Sequence, residues 1–114
     1  PSIGFSNRER LSLEHRGKPD LVLALALIHH LAITHNLPLA YVSKWLASLC
    51  RHLIIEFVPK EDRQVGRLLL SRTDVFDDYN EAGFRAAFST FFDIERVAPI
   101  PDSQRILFLM RRKV

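Results

Sequence analysis

Eight consecutive apolar residues, Leu21-Val-Leu-Ala-Leu-Ala-Leu-Ile28, stand between Pro19-Asp20 and the pair His29-His30. An unbroken run of this length fits a strand covered on both faces, as in the parallel sheets of α/β proteins, or a segment of buried helix. The proline before it and the polar pair after it favour a short strand over Asp20–Leu27. The run is far short of the roughly 20 residues that cross a bilayer. No signal peptide is visible, so no membrane partner is expected.

The rest of the chain alternates in kind. Residues 1–19 are polar and broken by Gly4, Gly17 and Pro19; they read as a connector, with at most a helical turn around Arg8–His15. Asn36-Leu37-Pro38 predicts a helix start. Leu39, Val42, Leu46 and Leu49 then form one apolar stripe that ends near Cys50-Arg51. His52–Val58 is rich in β-branched residues and is stopped by Pro59, which predicts a second strand. Asp62 is a suitable cap for a helix through Ser71 that carries Val65, Leu68 and Leu69. Thr73–Tyr79 is an acidic loop. Asn80 caps a helix with the apolar face Phe84, Ala87, Phe88 and Phe91. The tail predicts a hairpin, with strands over Phe92–Ile100 and Arg105–Arg111 joined at Pro101-Asp102-Ser103. Residues 106–110 are apolar on both sides, so the last strand is expected in the middle of the sheet. Strands alternating with helices predict a mostly parallel sheet, closed by an antiparallel hairpin and carrying helices on both faces.

Composition narrows the class. With 114 residues, 47% of them hydrophobic and 25% charged, the chain suits one folded unit over 20–114. The formal net charge of +3 gathers at the ends, in Arg8, Arg10, Arg16, Lys18, Arg111, Arg112 and Lys113. That pattern reads as a solvated fringe rather than the focused basic patch of a nucleic-acid binder, which weighs against a nucleic-acid partner without excluding one. Cys50 is the single cysteine, which excludes an intrachain disulfide and favours a reducing, cytoplasmic setting. The first residue is Pro1, which suggests a start inside a larger reading frame.

A parallel sheet that finishes in an antiparallel hairpin resembles the end of a class I S-adenosylmethionine-dependent methyltransferase. Asp20-Leu-Val-Leu-Ala-Leu-Ala-Leu-Ile-His-His-Leu31 resembles that family's fourth strand and the turn after it. His52–Val58 resembles the fifth strand, and the tail resembles strands six and seven. More narrowly, Leu-Ala-Leu-Ile-His-His-Leu, Ile-Glu-Phe-Val-Pro-Lys-Glu-Asp and Phe-Asp-Asp-Tyr resemble a group of nodulation-related proteins classed as methyltransferases. The resemblance spans about residues 3–113. It implies a partial Rossmann-like sheet and S-adenosylmethionine as the cofactor of a larger parent. It also implies that Leu27 and Ile28 line the cofactor's methionine side. The glycine-rich loop after the family's first strand has no counterpart, because Gly4, Gly17, Gly66 and Gly83 are scattered. The first three strands and most of the cofactor site are therefore expected outside this fragment, which alone should be inactive and should not bind the cofactor tightly.

Ligands of open α/β sheets sit beyond the carboxyl ends of the strands, and this selects His29, His30 and Glu56 as candidate catalytic residues. The histidines either hold the turn by local hydrogen bonds or, as the resemblance implies, one of them orients the methyl acceptor or takes its proton. Glu56 interrupts an apolar strand, so it either pairs with an arginine or lysine or faces the acceptor pocket. Asn36 is a lesser candidate that helix capping explains. Adjacent histidines rarely chelate one ion, and His35 and His52 have no supporting spacing, so no metal is expected. Tyr41, Trp45, Phe84, Phe88 and Phe91 are assigned to the core. The chemical class of the acceptor is not encoded in these residues. The alternative to an enzyme part is a non-catalytic α/β interaction or dimerisation module. In either case, the apolar strand edge at Leu21–Leu27 would lie bare, which predicts homo-oligomerisation through it.

Overall fold

The computed structural model describes residues 20–70 and 73–113. The expected connector over 1–19 and its helical turn lie outside the described residues. Four strands form one open sheet: β1 (Leu21–Ala24), β2 (His52–Phe57), β3 (Phe92–Pro99) and β4 (Ile106–Arg112). Their order is β1-β2-β4-β3. β1 and β2 are parallel, while β4 runs antiparallel to both β2 and β3. The fold is thus mixed α/β, and the last strand is interior, as its two-sided apolar pattern predicts. The expected mostly parallel sheet is corrected, because among the described residues only the β1–β2 pairing is parallel and the hairpin makes the other two antiparallel.

Three α-helices and one π-helical segment complete the unit. They are the π-helical segment His30–Thr34, α1 (Leu39–Leu49), α2 (Arg63–Leu70) and α3 (Glu81–Ser89). α1 buries Leu39, Val42, Ser43, Leu46 and Ala47, close to the expected stripe. Tyr41 falls one step off that stripe and is 56% exposed, so its assignment to the core is corrected. Trp45 is only half-buried. The start of α1 also differs from expectation. Pro38 occupies the cap position without a side-chain bond, and Asn36 instead takes a left-handed conformation at φ 54°. α3 follows the sequence closely, because the Asn80 side chain accepts the Gly83 N–H at 2.7 Å.

Strand alternation divides the sheet into two unlike faces. Ala24, Leu53, Ile55, Phe57, Phe108 and Met110 share one face and are all buried. Phe84 and Phe88 of α3 join them, with ring centroids 5.0 Å apart for Phe57–Phe84 and for Phe84–Phe108. Such pairs contribute about 1 kcal/mol each beyond burial alone. Leu21, Leu23, Ile54, Leu107 and Leu109 occupy the other face and stay half-buried or exposed. Full cover of both faces, which the apolar run suggested, is therefore not what the described residues provide. β1 is also shorter than expected. It ends at Ala24 because Ala26 turns left-handed at φ 54° and Leu27 already opens a helical turn.

Candidate functional site

The carboxyl ends of the two parallel strands meet in one polar cluster. The turn after β1 places Ala26 in a conformation unfavourable to a residue with a Cβ. Its N–H donates to Glu56 Oε1 at 2.7 Å, across 30 residues of sequence. The same carboxylate oxygen accepts from Arg105 Nη1 at 3.3 Å. Arg105 also grips Asp62, through Nε at 2.8 Å and Nη2 at 3.3 Å. One guanidinium thus joins the end of β2, the start of α2 and the tip of the β3–β4 hairpin. Asp62 has a second duty, capping α2 by accepting the Gln64 N–H at 2.8 Å.

Glu56 is 7% exposed, so an unpaired charge there would be costly. Of the two roles open to it, the structure supplies the pairing, and the partner is Arg105. Sequence reasoning missed Arg105 and treated Asp62 only as a cap. Arg105 stands 49 residues from Glu56, and nothing in its local pattern signals the contact. Hydrogen bonds from Arg105 hold the Asp62 carboxyl below the usual carboxylate range, and Asp62 in turn raises the Arg105 pKa.

The two histidines lie in unlike places. His29 directly precedes the π-helical segment, in helical conformation, and is completely buried. Neither of its ring nitrogens meets a hydrogen-bond partner at bonding geometry among the described residues. Burial, then the neighbouring His30 and Arg105, push its pKa down to about 4, while Asp62 and the Gln64 side chain oppose the fall without reversing it. His30 is exposed, its ring centroid 4.3 Å from that of His29. The backbone beyond is wound wide, with His35 N–H donating to His30 O at 3.0 Å. Such π-helical turns recur at functional sites.

Leu27 and Ile28, expected to face a cofactor, are only partly available. The Leu27 carbonyl accepts the N–H groups of His30 and Leu31, and the Ile28 side chain is fully buried in the core. Among the described residues no group of three or more His, Cys, Asp or Glu could hold a metal ion. No helix among them is long and apolar enough to cross a membrane.

Beyond the end of β2 opens a cleft of about 350 Å³, lined by Phe57, Pro59, Lys60, Tyr79, Gln104 and Ile106 among others. Glu56, Asp62 and Arg105 do not line this cleft, although their sequence neighbours Phe57, Glu61 and Gln104 do. Tyr79 is a second residue that sequence reasoning missed. It is buried, and its hydroxyl donates to the Val58 carbonyl, tying the acidic loop to the end of β2. Burial, followed by the nearby Asp62, raises its pKa strongly.

The class these features define is a mixed α/β unit with an open four-stranded sheet and a charged cluster at the ends of its parallel strands. No protein-family model matches the chain. Over 112 residues, 98% of the chain, it is 47% identical to the nodulation protein NoeA of Rhizobium meliloti (strain 1021). The chain spans 24% of that relative's length.

Proposed function

We propose that this chain forms the acceptor-side wall of an S-adenosylmethionine-dependent methyltransferase whose cofactor-binding half lies outside these residues. The observation that carries the reading is the strand order β1-β2-β4-β3. A parallel pair followed by a hairpin whose last strand inserts beside β2 is the finish that the methyltransferase resemblance implies. Similarity to a nodulation protein of which the chain spans 24% supports its being one part of a larger protein, and we extend a role in nodulation to it on the same ground.

The fit to the cofactor is partial. Gly66 and Gly83 both lie within helices, so no glycine-rich turn follows β1 or β2 to admit a nucleotide against the backbone. The carboxyl ends of β1 and β2 fit one side of such a molecule, and no more. When bound, the cofactor supplies an electrophilic methyl group, and alignment is then the main task left to the protein. Glu56 and Arg105 hold the turn at Ala26 in shape, and His30 is the histidine open to an acceptor. His29 is sealed in the interior and shapes the turn from beneath.

Calorimetric titration with S-adenosylmethionine tests the reading. The 114-residue chain should show no binding, and the longer protein that contains it should bind and transfer the methyl group. Absence of binding by the longer protein would overturn the proposal. The second reading, a non-catalytic interaction module, is favoured by the exposed Leu21, Leu23 and Leu25, and that result would leave it standing.

A further inference from the structure

The two edges of the sheet are built differently. The β3 edge carries Asp93, Glu95 and Arg96, a register shift between Ile94 and Arg96, and Pro99 at its end. Charges, bulges and prolines of this kind blunt an edge against pairing with another chain. The β1 edge has none of them. Its sequence is Leu-Val-Leu-Ala, no charge occurs before His29, and its outer side has no strand partner among the described residues. Leu21, Leu23 and Leu25 beside it are 46%, 61% and 54% exposed.

We propose that the 114-residue chain self-associates as a twofold dimer through the β1 edge. A twofold axis normal to the sheet makes the two β1 strands antiparallel and keeps corresponding faces on the same side. Leu21 and Leu23 of one copy then meet the same leucines of the other at cross-strand distance, on the face that each subunit leaves half-covered. Self-pairing across a twofold axis tends to bring like charges together, and an edge free of charge from Leu21 to Ile28 escapes that repulsion. This is why a second copy suits the β1 edge. The inference is argued from the two edges and concerns the 114-residue chain. In the longer protein of the methyltransferase reading, the remaining strands of the sheet would compete with the second copy for this edge.

Sedimentation velocity at tens of micromolar tests it. The wild-type chain should sediment as a dimer. Leu23→Lys alters a solvent-facing side chain, so the fold should persist by circular dichroism while dimer dissociation rises by roughly tenfold or more. Val97→Lys, on the opposite edge, should leave the association unchanged. A monomeric wild-type chain, a dimer indifferent to Leu23→Lys, or one abolished by Val97→Lys would each overturn the proposal.

Discussion

Arg105 reaches back across 49 residues to Glu56, and their ion pair, with side chains only 20% and 10% exposed, closes the polar end of the sheet. Because Glu56 Oε1 also holds the N–H of Ala26, the guanidinium acts indirectly on the turn after β1.

Arg105→Met should therefore destabilise the fold by about 3 kcal/mol, since it leaves two mostly buried carboxylates without their cation. It should also change the acid response. The Asp62 pKa is lowered in the folded state, so its contribution is present above the unfolded-state pKa and is lost as pH falls through the folded-state value. Urea midpoints followed down through the carboxylate range should fall less steeply in the variant. Equal acid slopes in variant and wild type would refute this role for the pair.

His29 gives a second pH dependence with its own window. Its folded-state pKa of about 4 lies below the ordinary 6.5, so the unfolded chain binds the proton more readily. Stability should be complete above about pH 6.5 and decline toward pH 4, by an amount on the order of 3 kcal/mol. His29→Phe should remove most of that decline and cost little near neutrality. No group among the described residues meets the ring nitrogens at bonding geometry, although the Gln64 side chain lies near enough to influence them. Thermal melts of the two proteins at matched pH measure the difference.

Gly83→Ala reverses the usual expectation for a helix. Propensity alone would stabilise α3 by up to about 1 kcal/mol. A Cβ at this position, however, would overlap the Asp78 backbone carbonyl. The substitution should instead destabilise by about 2 kcal/mol or more, as read from chemical denaturation. Gly66, with open space around it, is the internal comparison, and Gly66→Ala should raise stability.

Cys50 should be inert in the native state. It is 1% exposed, and burial pushes its thiol up to about 11. Alkylation at mildly alkaline pH should proceed only as fast as the chain opens, and labelling in urea should be complete. Rapid modification of the folded protein would contradict this burial.

Much of the architecture was legible in local pattern. The stripe of α1, the Asn80 cap, the hairpin at Pro101–Ser103 and the interior place of β4 all follow from periodicity and capping chemistry, which act within a few residues. The length of β1 was not legible. An apolar run has no mark for the residue at which strand gives way to helix, and here the left-handed Ala26 makes that change. Tyr41 was misassigned for a related reason, since an aromatic at near-helical spacing can sit just outside the stripe it resembles.

By itself the sequence determined the three α-helices, the presence of the four strands and a polar interruption at Glu56 that had to be satisfied, but not the π-helical segment His30–Thr34. The tertiary structure alone decided who satisfies it. Arg105, Asp62 and the Ala26 N–H converge on or beside that carboxylate from separate parts of the chain. Likewise, Leu21 and Val22 look alike in sequence, and only the pairing of β1 with β2 turns one outward and the other toward the helices. The physical reason is common to both. Burial and long-range pairing depend on contacts between segments far apart in the chain, and these exist only once the sheet has formed.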